Sequence, residues 1–160
     1  MLNKGEKMQA NMDLTIKKFF KSVEDYTSKM RALYTDKAAQ SRLDKEKSRL
    51  SEIKQNVEKL SMMEDNDDEK YKLAYKTMGT GVSASLFMKP NSVDNGAYWA
   101  FVEAVREIVA YYERGSLGRE PDAVLKAIKS WNYQTSTSLF KDFVYPFLPL
   151  SHFAVKNQEK

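Results

Sequence analysis

Apolar side chains at Met12, Ile16, Phe19, Val23, Tyr26, Met30 and Leu33 succeed one another at alternating intervals of four and three residues. An α-helix turns once in about 3.6 residues, so this spacing stacks the seven along one stripe of one helix. The positions between them are mostly polar or charged, including Lys17, Lys18, Lys21, Glu24, Asp25, Lys29 and Arg31. A narrow stripe of this kind suits one or two partner helices, and the seven residues are expected to form a partner-binding seam of coiled-coil type.

A second series follows at Leu43, Leu50, Ile53, Val57 and Leu60. It is displaced by one residue from an extension of the first, which would have used positions 44 and 51, and one residue rotates a helical stripe by about 100°. A single rod through Thr35–Gln40 would therefore aim its halves at different partners. A turn at Tyr34-Thr35-Asp36, with Thr35 or Asp36 capping the second helix, lets the two stripes face each other. The expectation is a hairpin or one long helix over 12–62, with the hairpin preferred although no Gly or Pro marks the turn.

The acidic run Glu64-Asp65-Asn66-Asp67-Asp68-Glu69 suits the start of a helix and not its end. It predicts a loop and then a helix from Asp67 or Asp68 that carries Tyr71, Tyr75 and Met78 on one face. The stretch from Met78 to Met88 mixes glycines and small residues and is left open as irregular helix, close helix crossing or strand, with a break at Lys89-Pro90. Asn95–Arg114 has a wide apolar face of Tyr98, Phe101, Val102, Val105, Ile108, Val109 and Tyr112, closed by Gly115. Pro121 opens a short helix that buries Val124, Leu125, Ile128 and Trp131. Thr135-Ser136-Thr137 is expected to cap a further segment, Leu139 to Val144, which Pro146 and Pro149 terminate.

The fold class expected is therefore all-α: a coiled-coil-like helical hairpin or long helix, followed by a compact aromatic-rich helical bundle. The divisions are a flexible N-terminus at 1–11, a helical arm at 12–62, a globular part at 63–150 and a flexible tail at 151–160. No internal repeat is present.

Composition narrows the chemistry. Hydrophobic residues make up 42% and charged residues 30%, which is the balance of a folding chain. The absence of cysteine excludes disulfides, thiolate metal sites and a cysteine nucleophile. No uninterrupted apolar run follows the N-terminus, so a soluble, intracellular, cytoplasmic protein is expected. The net charge of +4 is uneven: residues 1–60 hold 14 Lys+Arg against 9 Asp+Glu, so the basic excess belongs to the arm.

The one histidine, His152, lies near the C-terminus and leaves neither a second imidazole for a metal nor a base for a triad. The acidic run lacks the central Gly and spaced Glu of an EF-hand, and Gly79-Thr80-Gly81 lacks the Lys-Ser/Thr of a phosphate loop. Glu103 and Glu107 share a helix side but have no Glu-x-x-His companion. No catalytic residue, metal or cofactor is expected. Lys17, Lys18 and Lys21, interleaved with Phe19 and Phe20, are possible anion or nucleic-acid contacts, whereas Arg42, Lys45, Lys47, Arg49 and Lys54 alternate with Asp44, Glu46 and Glu52 as a solvated face. Tyr111 and Tyr133 are candidates for exposed stacking surfaces. The apolar segment Tyr145–Leu150 is either a strap over the helices or a docking peptide.

These features point first to a non-enzymatic interaction protein, an adaptor or small regulatory or structural factor, acting through helix–helix association. Its partner would be another protein or a copy of itself. Nucleic-acid binding by the basic arm is the alternative, and peripheral attachment to an anionic membrane a further one. No small-molecule substrate is inferred.

Overall fold

The computed structural model describes residues 3–65, 67–83, 95–114 and 121–144. Within them the chain is all-α, with helices α1 (Lys4–Leu33), α2 (Lys37–Met62), α3 (Asp68–Ser83), α4 (Asn95–Arg114) and α5 (Pro121–Val144). The helix expected from Met12 starts earlier, at Lys4. There Asn3 accepts from the Glu6 backbone N–H and Glu6 accepts from the Asn3 N–H, a reciprocal cap that satisfies two of the donors a helix start leaves open.

The arm is a hairpin. Asp36 adopts extended backbone and its carboxylate accepts from the Ala39 N–H at 3.0 Å, opening α2. The turn is clasped by side chains in place of a glycine. Arg31 donates to Gln40 Oε1 at 2.6 Å and to Asp44 at 2.7 Å, while the Gln40 amide donates to the carbonyls of Arg31 and Tyr34. Further along, Lys54 of α2 meets Glu24 of α1 at 3.0 Å.

The hairpin does not stand apart from the aromatic part, because α1 packs on α4 and α5 with one continuous core. Phe19 stacks with Phe101 of α4, and the fully buried Trp131 of α5 meets Phe19, Tyr26 and Phe101 edge-on at centroid distances of 6.0, 5.5 and 6.1 Å. Its indole N–H donates to Ser22 Oγ at 2.9 Å. A buried indole needs such a partner, and α1 supplies it from the helical turn between Phe19 and Tyr26. The apolar face expected on α4 is buried throughout, from Tyr98 to Tyr112.

Two expectations fail on α5. The helix is not short: it runs unbroken through Thr135-Ser136-Thr137 to Val144. Thr135 turns its hydroxyl back onto the carbonyls of Trp131 and Asn132, so a residue type that caps helix starts is here satisfied inside one. Leu125, expected inside, is 43% exposed; the buried stripe is Val124, Ala127, Ile128 and Trp131. Ser83 still lies in helix, whereas Lys89-Pro90, Gly115, Tyr145–Leu150 and His152 fall outside the described residues.

Candidate interaction surface

The seven-residue seam of α1 is placed inside the chain. Met12, Ile16, Phe19, Val23, Tyr26 and Met30 are all buried and Leu33 is half-buried. Helix pairing through this seam takes place, but the helices it meets belong to the same chain, so it is not an open strip for a partner. The narrow stripe is served by α4 and α5 through Phe101 and Trp131.

Lys17 and Lys21 do come together, on the rim of a groove of about 360 Å³ between α1, α2 and α4, and Lys54 joins them there; Lys18 is exposed elsewhere on α1. The same rim holds Asp13, Glu24 and Glu58, as many carboxylates as lysines. Lys54 is paired with Glu24, and Lys21 lies 3.4 Å from Asp25. Phe20 is not a projecting wedge: it is buried beside Phe19, with ring centroids 5.2 Å apart. Carboxylates thus stand beside each of the lysines around this groove.

At the end of this groove Tyr112 donates to Asp13 through a short hydrogen bond, Tyr111 donates to Gln9 at 2.9 Å, and the Gln9 amide donates to Asp13 at 2.8 Å. Burial raises the Tyr112 phenol well above its ordinary value near 10, aided by the Asp13 carboxylate, to which it donates. Tyr111 moves the same way, again chiefly by burial. A raised phenol pKa means that the folded state holds its proton more tightly than the unfolded chain. The associated stability is therefore complete below pH 10 and is lost as the pH climbs above it. Thermal melts between pH 8 and 12 should show the midpoint falling above pH 10, and Tyr112→Phe should flatten that limb; an equal fall in the variant would show that these phenols are not its source.

A different surface emerges on α3. Of the three residues expected on one face, Tyr71 and Tyr75 are 53% and 84% exposed, whereas Met78 is half-buried and packs against the core. The side turned inward consists of Lys70, Ala74, Thr77 and Gly81. Small residues there allow close approach: a Cβ on Gly81 would stand 3.0 Å from Val105 Cγ1. Thr77 satisfies its hydroxyl on the Leu73 carbonyl, and the buried Lys70 ammonium lies 3.1 Å from Asp65 and 3.4 Å from the Met63 carbonyl.

Val82, 46% exposed, extends the row, so Tyr71, Tyr75, Met78 and Val82 follow four-three-four spacing, with Met78 alone of the four packed against the core. At its C-terminal end the Tyr98 hydroxyl donates to the Val82 carbonyl at 2.7 Å, and Trp99, 51% exposed, lies against Tyr98 with centroids 4.8 Å apart. Aromatic side chains carry roughly 150–250 Å² each, so the exposed parts of Tyr71, Tyr75 and Trp99 amount to about 400 Å² of ring surface. The sequence marked the spacing of Tyr71, Tyr75 and Met78 but not the outward orientation of the two tyrosines, and Trp99 carried no signal because it lies beside the apolar face of α4.

The described residues define a helical bundle with an aromatic core and with Tyr71 and Tyr75 of α3 exposed. No protein-family model, curated protein or solved structure matches the chain. No described helix is long and apolar enough to cross a membrane.

Proposed function

We propose that this chain is a non-enzymatic interaction protein whose function is helix–helix association, carried by the outer face of α3 and not by the α1 seam. The observation behind this is the inverted orientation of α3, which buries Ala74, Thr77 and Gly81 while leaving Tyr71 and Tyr75 in water. A helix gains stability by burying its largest apolar side chains, so exposing two tyrosines one helical turn apart forgoes burial that an internal orientation would provide. Such a stripe has a use when another helix covers it. The carboxylates beside Lys17, Lys21 and Lys54 make nucleic-acid binding the weaker reading.

The test is a Tyr71→Ser/Tyr75→Glu double variant of the full chain. Both side chains are exposed, so circular dichroism and melting temperature should stay within surface-mutation scatter of about ±0.5 kcal/mol. Proteins co-purifying with the wild type from its native cell should be lost with the variant. A fully folded variant that retains every one of them sinks the proposal.

A further inference from the structure

We propose that the outer face shared by α1 and α5 seats this chain on an anionic lipid surface, with Leu14 and Leu125 entering it, independently of the α3 site. The two helices lie side by side and run in the same direction. Asp13 and Phe19 of α1 meet Tyr112 and Phe101 of α4, so α1 runs against α4. α5 also runs against α4, because Gln134 stands beside Gly96 while the end of α4 leads into the start of α5. Ser22 marks the edge of α1 that adjoins α5, where it accepts from the Trp131 indole. Counting about 100° per residue, Lys18 and Lys29 stand within about 40° of Ser22, and Lys7 and Leu14 within about 80°. On α5, Leu125 and Lys129 are exposed beside the buried stripe of Val124, Ala127, Ile128 and Trp131.

Charge on this face is not balanced. Exposed Lys7, Lys18, Lys21, Lys29, Lys126 and Lys129 stand with two aspartates, Asp25 and Asp122. Asp25 is taken by Lys21 at 3.4 Å, and Asp122 lies one helical turn before Lys126. Among the described residues Lys7, Lys18, Lys29 and Lys129 are in no ion pair. An unscreened lysine held at an anionic leaflet raises partitioning about fivefold.

The apolar residues select lipid over nucleic acid. Leu14, 52% exposed, lies one turn before Lys18, and Leu125, 43% exposed, one turn before Lys129. The two leucines stand at one level of the parallel helices, eight residues before Ser22 and six before its partner Trp131. A phosphate backbone in water has no use for exposed leucines. At a bilayer they enter the acyl boundary while the neighbouring lysines reach the headgroups.

Co-sedimentation of the full chain at physiological salt tests this, with vesicles of phosphatidylcholine alone and of an equal mixture with phosphatidylserine. The chain should pellet with the mixed vesicles and stay in solution with phosphatidylcholine. Lys18→Glu/Lys129→Glu should weaken partitioning by at least about tenfold, and Leu14→Ser/Leu125→Ser by a similar factor. Lys45→Glu/Lys47→Glu makes the same change of net charge on α2 and should leave partitioning within about twofold, because the attraction fades within a Debye length. All six substituted residues are exposed, so circular dichroism should match the wild type. Equal pelleting with both vesicle types overturns the proposal, as does an equal loss from the two charge reversals or full partitioning of the folded leucine variant. Absence of pelleting, with a DNA or RNA duplex bound by the wild type and lost in Lys18→Glu/Lys129→Glu, overturns it in favour of nucleic acid. Absence of both kinds of binding overturns an anionic partner for this face altogether.

Discussion

Val23→Asp should abolish the cooperative unfolding transition of this chain. Val23 is fully buried in the middle of α1, between the turns that carry Phe19 and Tyr26, and the helices that cover it are part of the same molecule. The substitution removes about 1.5–3 kcal/mol of apolar burial. It also places a carboxylate where ionisation costs several kcal/mol, or forces it to take up a proton. The sum is comparable to the whole stability of an ordinary domain, about 5–15 kcal/mol. Urea titration followed by circular dichroism is the measurement, with sedimentation alongside. If the variant kept a sharp transition and lost only self-association, the α1 seam would serve another chain and the internal packing described here would be wrong.

The α1 seam shows both what hydrophobic spacing reveals and what it leaves open. Four-three spacing from Met12 to Leu33 specified a helix and the side that is buried, and the phase shift to Leu43 and Leu50 favoured a turn over one long helix; the turn is present and Asp36 closes it. Whether the buried side meets the same chain or another is not encoded in that spacing. It depends on whether α4 and α5 present a matching surface, and Trp131 with its N–H aimed at Ser22 does. The start at Lys4 was missed because Asn3 and Glu6 form their cap ahead of the first seam residue.

Glu46 was misread for the opposite reason. Positions 43, 46, 50, 53, 57 and 60 form an unbroken four-three series, and the structure buries all six. A charge at one of them looked like part of the alternating surface around Arg42 and Asp44. Arg49, one turn on and partly exposed, lies 3.1 Å from the Glu46 carboxylate. Packing geometry overrode residue type, as a single polar residue in an apolar seam commonly does when it fixes register. The same override operates in α3. Ala74 and Gly81 have little apolar area to bury, but their size lets α3 approach α4 closely enough for Val105 to fill the gap. Ranking residues by hydrophobicity would have turned the helix the other way, toward Tyr71 and Tyr75. The sequence therefore showed the candidate surface as a pattern, while its outward orientation follows from contacts between helices that spacing within one helix does not record.

Trp131→Ala should be the most damaging truncation available in the bundle. The indole is fully buried, touches aromatic rings from α1 and α4, and hydrogen-bonds to α1, so its loss opens a cavity where three helices meet. Large-to-small changes of this kind cost about 3–5 kcal/mol. For a chain of this size each kcal/mol is worth about 2–4 °C, so the midpoint should fall by roughly 10–15 °C. Trp131→Phe separates ring packing from the hydrogen bond: it keeps an aromatic side chain and leaves Ser22 without its donor, and should cost about 1–2 kcal/mol. Thermal melts followed by far-ultraviolet circular dichroism measure both. Because α1 shares this ring with α4 and α5, the alanine variant should lower one cooperative transition for all helices. Two separate transitions, with the hairpin of α1 and α2 unaffected, would show that the two parts fold independently and that the shared aromatic core does not join them.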